Sequence, residues 1–142
     1  MDETSPLISA RTEALGKAYA ALNRNDVPGF VAMFDPQVER IEDFGEIKTI
    51  HGLDAVRAHV LEGRRKWAEG SCKPERFVAS GDRIIVRVKV RVRLKTEEYW
   101  REGLIGDVFT FHSGKVTQFC SFIDERRAIE WVDVSDSNGP TS

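Results

Sequence analysis

Thirteen residues in the second half of the chain, Arg83 to Lys95, alternate apolar and basic side chains with no acid among them. In an extended strand successive side chains point to opposite faces. Ile84, Val86, Val88, Val90, Val92 and Leu94 therefore share one face, and Arg83, Arg87, Lys89, Arg91, Arg93 and Lys95 share the other with Ile85. Upstream the period changes to that of a helix. Ser5-Pro6 supplies a cap and a first-turn proline, and Leu15, Ala18, Tyr19 and Leu22 carry the stripe to about Leu22. Asp26 caps a second, short helix bearing Phe30, Val31, Met33 and Phe34, closed by Asp35-Pro36. "VERIEDF" reads as a strand, followed by an irregular loop through Ile50. Leu53, Val56, Val60 and Trp67 define a third helix from Gly52 to about Glu69, ended by Gly70.

The remainder reads as an antiparallel meander. "CKPERFVASG", Arg83–Lys95, Tyr99–His112 and Lys115–Ile123 are strands, separated by turns at Ser80–Asp82, Thr96–Glu98 and Ser113-Gly114. "DERRAIEWV" adds one helical turn. Helices first and a meander afterwards indicate an α+β domain with helices on one sheet face. The expected organisation is a flexible N-terminus over 1–6, one domain over 7–132 and a disordered polar tail over 133–142.

The register of the meander decides what the helices cover. With the turn centred near Thr96–Glu97, Arg91 lies opposite Glu102 and Val86 opposite Asp107. Ile105, Asp107, Phe109 and Phe111 then face the helices, while Trp100, Glu102, Leu104 and Val108 lie beside the basic residues. Asp107 is the anomaly, a carboxyl group among phenylalanines. Unpaired and buried, it rises in pKa and becomes a donor for a developing oxyanion; alternatively it is a structural acid, capped or salt-bridged, with Arg101 as a candidate partner.

Charge and composition narrow the function. The 142 residues carry a net charge of −2, and the basic strand has no aromatic side chain interleaved for stacking bases. Glu97, Glu98 and Glu102 are near enough to neutralise it, so no nucleic acid is expected. Cys72 and Cys120 are far apart with no ligand spacing around them, so no metal or other cofactor is expected. No leader and no membrane-length apolar run is visible, which makes a cytoplasmic protein the expectation. Trp100, Leu104, Val108, Cys120 and Phe122 gather on the convex sheet face and suggest a homodimer through it.

Three stretches carry a resemblance: "YAALNRNDVPGFVAMFD", "IHGLDAVRAHV" and "GDVFTFHSGKVTQFCSFID". In this order and spacing they resemble the nuclear transport factor 2-like superfamily, including ketosteroid isomerases and SnoaL-like polyketide cyclases, over about Leu15 to Trp131. The resemblance implies a cone, in which a strongly curved mixed or antiparallel sheet wraps three N-terminal helices around a deep apolar pocket. It also implies a base in "IEDFGEIKTIHG", taken as Asp43; a count from the second helix favours Glu42. "DVFTF" matches the stretch that carries the oxyanion-hole aspartate, placing Asp107 there. Other features depart from the family. The isomerase tyrosine falls on Ala18, with Tyr19 about 100° further round the helix, and the cyclase acid falls on Ser121. His59 stands where those isomerases carry an apolar pocket residue.

The functional expectation is acid/base proton transfer on a small apolar or carbonyl-containing compound, as an isomerase, cyclase or lyase. Asp43, Asp107 and His59 are the expected catalytic residues. Tyr19, Trp67, Arg101, Phe109, Phe111, Phe119 and Ser121 are the expected substrate-binding ones. A non-catalytic ligand-binding or accessory protein of the same fold is the alternative.

Overall fold

A computed structural model describes residues 5–137. Four helices, α1 (Pro6–Asn23), α2 (Val27–Phe30), α3 (Leu53–Arg65) and α4 (Glu125–Ser137), accompany six strands: β1 (Phe34–Asp43), β2 (Ile47–His51), β3 (Trp67–Ser80), β4 (Arg83–Leu94), β5 (Arg101–His112) and β6 (Lys115–Phe122). The strands form one curved, open sheet in the order β2-β1-β6-β5-β4-β3. Only the β1–β6 pairing is parallel; every other neighbour is antiparallel. The fold is thus α+β, with α1, α2 and α3 on the concave face.

The alternation in β4 does what its period requires. Val86 pairs with Asp107 and Arg91 with Glu102, so Ile84, Val86 and Val88 join Phe109 and Phe111 in the concave core. Against them α1 sets Leu15, Ala18, Tyr19 and Leu22, all buried and recurring at helical spacing. The basic residues face the other way and meet carboxylates: Arg91 with Glu102 at 3.3 Å, Arg93 with Glu69 at 3.0 Å and Arg87 with Glu75 at 3.5 Å.

Four elements differ from the sequence pattern. α2 stops at Phe30, and Phe34 opens β1, because the backbone at Met33 and Phe34 is captured by β6. The β1–β6 register is irregular between Phe34 and Glu39, where Pro36 supplies no donor. Residues 47–51 are a strand rather than a loop. They pair with β1 but lie at an edge with little apolar burial, so no alternation betrays them. α3 ends at Arg65, and Trp67 opens β3 opposite Leu94. Gly70 does not stop a helix; it lies within β3, where a Cβ would sit 2.7 Å from the Trp67 ring. The last helical turn is in fact a helix through Ser137, five residues into the stretch read as a tail. Residues 1–4 and 138–142, at the ends of the expected flexible segments, lie outside the described residues.

α4 also corrects the reading of the convex face. Its Ala128 and Val132 pack on Ile85, Val108, Cys120 and Phe122, closing a second apolar cluster. Most of the patch assigned to a homodimer contact is therefore covered by the chain's own helix. Leu104 stays 40% exposed, and Trp100 lies under the Arg91 guanidinium at 3.8 Å.

The approach of α4 is close. A Cβ on Gly106 would lie 2.7 Å from the Asp124 carbonyl oxygen and 2.8 Å from the Ala128 Cβ. Gly106→Ala is expected to lower unfolding stability by about 1–3 kcal/mol in urea titration, as overpacking does. In a Cys72→Ser background it should also speed reaction of Cys120 with a thiol reagent, since that thiol is fully buried beneath α4.

Candidate functional site

Adjacent strands carry side chains that share a face at paired positions, and this places the polar groups of the concave surface. Asp107 on β5 pairs with Ser121 on β6, and Ser121 pairs with Glu42 on β1. All three point to the helices. Ser121 donates its hydroxyl to Asp107 Oδ1 at 2.5 Å, and the Tyr19 hydroxyl, presented by α1, donates to Oδ2. Arg40, two residues before Glu42, lies on the same face. Its Nη1 donates to Ser121 Oγ at 2.7 Å and to the Phe119 carbonyl at 3.3 Å, its Nη2 donates to Glu42 Oε2 at 3.0 Å, and its guanidinium lies 3.9 Å from the Phe119 ring centre. On α3, His59 Nε2 is 3.0 Å from Glu42 Oε1. One hydrogen-bonded line thus runs Tyr19–Asp107–Ser121–Arg40–Glu42–His59 across five elements.

This line borders an open cleft of about 200 Å³ whose apolar wall includes Leu22, Phe30, Val60, Trp67, Ile105 and Phe119. Burial raises the Asp107 pKa above its ordinary value, against the opposing pull of Arg40, Ser121 and Tyr19. Burial and the neighbouring Asp107 raise Tyr19 well above the usual phenol range. Glu42 goes the other way. Burial works against its charge, but Arg40 and His59 outweigh it and hold the carboxyl below the ordinary range. The cleft therefore keeps one acid inclined to neutrality and one inclined to ionise. Burial pushes the Cys72 thiol, also on the cleft, up to about 12, so it is no nucleophile near neutral pH. Among the described residues no group of three or more His, Cys, Asp or Glu side chains is gathered for a metal ion.

Of the residues singled out in the sequence, Asp107, His59, Tyr19, Trp67, Phe119 and Ser121 line the cleft. Four others do not. Asp43 is one residue out of phase with Arg40 and Glu42, so it points away and accepts from the Gly45 N–H at 3.4 Å. Glu42, the alternative count, is the cleft acid. Arg101 is on the inner phase of β5 but six residues from Asp107, roughly 20 Å along a strand, and binds Glu97 instead. Phe109 and Phe111 are core: Phe109 stacks on Phe119 at 4.6 Å, and Phe111 lies beneath Arg11. The family count ends on Ala18, which is buried core. Tyr19, in the stripe of Leu15 and Leu22, is the residue that reaches Asp107. Arg40 was missed altogether, although the period of two through "VERIED" sets Val38, Arg40 and Glu42 on one face.

The sequence profile of SnoaL-like domains matches residues 15–119. The chain belongs to the SnoaL-like domain family. No curated protein matches it by sequence. Among solved structures, this SnoaL-like domain is similar to a nuclear transport factor 2-like protein of unknown function from Burkholderia pseudomallei. The two share 27% identity with a TM-score of 0.71, over 84% of this chain and 94% of that one. A putative polyketide cyclase from Sinorhizobium meliloti is 19% identical with a TM-score of 0.64, over 77% and 93%. SalBIII, an epoxide hydrolase/cyclase-like enzyme of pyran ring formation in the polyether salinomycin, is 21% identical with a TM-score of 0.69, over 80% and 90%. These last two likenesses are of fold. No helix among the described residues is long and apolar enough to cross a membrane.

The raised Asp107 pKa has a signed consequence for this SnoaL-like domain. A group whose folded pKa exceeds its unfolded value stabilises fully below the unfolded value, and that stability is lost as pH rises through the folded one. Thermal melts of the wild type and Asp107→Asn are expected to show the wild type losing ground relative to the variant as pH rises above the ordinary 3.8. A difference that stays flat with pH would show Asp107 titrating normally.

Proposed function

We propose that this SnoaL-like domain catalyses proton transfer on a small carbonyl compound bound in the cleft, as an isomerase, cyclase or lyase. The observation that supports this most is that the Glu42–His59 pair and the Tyr19–Asp107 pair border one largely apolar cleft. Glu42, held ionised by Arg40, is a weak proton acceptor but a good orienter. It takes the Nε2–H of His59 and leaves Nδ1 as the acceptor, the division of roles familiar from carboxylate–imidazole pairs. Imidazole is the side chain whose ordinary titration lies nearest neutral pH.

In the proposed step Nδ1 removes a proton from the carbon next to the substrate carbonyl. The C–H electron pair becomes a carbon–carbon double bond, and the carbonyl π pair moves onto oxygen. A neutral Asp107 hydrogen-bonds back to the Tyr19 oxygen, freeing the tyrosine hydrogen to point at that oxygen. Return of the proton to a different carbon completes an isomerisation without oxidant or cofactor. The cleft is smaller than the roughly 300–1,000 Å³ of drug-sized sites, which favours a compact substrate.

The test is the exchange of carbon-bound hydrogen for deuterium in a panel of cyclic enones and β-diketones, followed by NMR. Wild type is expected to accelerate exchange for at least one compound. His59→Gln should lower that rate by about 10²–10⁴ and Tyr19→Phe by about 10²–10³, while Asp43→Asn leaves it unchanged. An undiminished rate in both His59→Gln and Tyr19→Phe would overturn the mechanism. A second reading, a ligand-binding protein without turnover, draws support from Asp107 having both oxygens already occupied by internal hydroxyls. It requires saturable binding with no exchange in any compound.

A further inference from the structure

A second hollow, of about 430 Å³, opens beside the cleft between the C-terminal ends of α1 and α3 and the start of β3. Arg64 and Trp67 line both spaces and so mark their junction. Arg65 and Lys95 also line the larger hollow, against one carboxylate, Glu69, which is bound to Arg93 at 3.0 Å. The Arg64 guanidinium is fixed on two sides. Its plane lies 4.3 Å from the Trp67 ring centre, and Asn25 Oδ1 accepts from Nε at 3.3 Å and from Nη2 at 2.9 Å. Nη1 is buried and has no hydrogen-bond partner among the described residues. An arginine carries five N–H donors, and Asn25 takes two of them. An Nη1 shielded from water with its donors unmet is costly unless something satisfies it.

We propose that the junction is a carboxylate subsite, so that the ligand of this domain is an amphiphile: an apolar body in the cleft and a carboxylate at Arg64. This rests on the cleft being the ligand site. Arg64 suits the task because stacking and the Asn25 fork hold it in place before the ligand arrives, so little side-chain freedom is lost on binding. Burial also draws its pKa below the ordinary value, a cost that an adjacent anion reverses. The geometry sets a length. His59 and Arg64 are five residues apart on α3, about 7.5 Å along the helix axis. The ligand therefore carries its carboxylate several bonds from the reacting carbon rather than on it.

Binding of 3-phenylpropanoate and its neutral counterpart 3-phenyl-1-propanol, followed by titration calorimetry, tests this without reference to turnover. Wild type is expected to prefer the carboxylate by about tenfold or more, as a charged hydrogen bond implies. Arg64→Met should abolish the preference while the alcohol still binds, and Arg64→Lys should keep part of it, with circular dichroism confirming that both variants fold. Equal affinity of the wild type for the two compounds, a preference that survives Arg64→Met, or no binding of either compound overturns the proposal. Catalysis is judged separately by deuterium exchange, so an inert protein with a carboxylate preference sinks only the mechanism. An active enzyme without that preference sinks only the subsite.

Discussion

A carboxyl group held out of water in the middle of β5 organises this molecule. Asp107 sits on the covered face because β4 and β5 pair in one register, and burying it there is tolerable only with partners. Those partners come from elsewhere: a hydroxyl from α1, a hydroxyl from β6, and, through the latter, a guanidinium from β1. The same guanidinium fixes Glu42, which fixes His59 on α3. The network therefore ties the helical layer to three adjacent strands of the sheet. A half-satisfied polar cluster in this position would be worse than an apolar core, so the parts depend on one another.

The two sides of the sheet are put to different uses. On the concave side the core stops short of filling the space near the Glu42–Asp107 end, leaving a cleft with polar groups along one border. On the convex side α4 completes an apolar cluster of its own, and the exposed arginines of β4 are balanced by carboxylates from β3 and β5. The long basic strand is thus a structural wall. Its charges keep one face in water, and its valines build the other.

How far the sequence could be read depended on how strictly a segment obeyed a period. β4 alternates with the single exception of Ile85, so its pairing with β5 was legible, and with it the inward direction of Asp107. The α1 stripe was equally legible. Trp67 continues the helical spacing of Val56 and Val60, and nothing local says that β4 will draw it into a strand. A count through the loop sets Asp43 at the base position, but one extra residue there reverses the face, and Glu42 is the one on the cleft. Arg101 shares the strand phase of Asp107, but a side chain does not bridge six residues of strand. Arg40 went unread because a buried guanidinium looks improbable until Glu42, Ser121 and Phe119 are seen around it.

Sequence alone determined the α+β class, the register of the central hairpin and the burial of Asp107, because these follow from periods of 2 and 3.6 acting over a few neighbouring residues. Tertiary structure decided which acid on β1 enters the cleft, that Tyr19 reaches Asp107, and that α4 covers the convex face. It also brought Arg64, Trp67 and Asn25 together. Each of these depends on elements far apart in the chain meeting at a particular depth and angle, and local periodicity carries no information about such meetings.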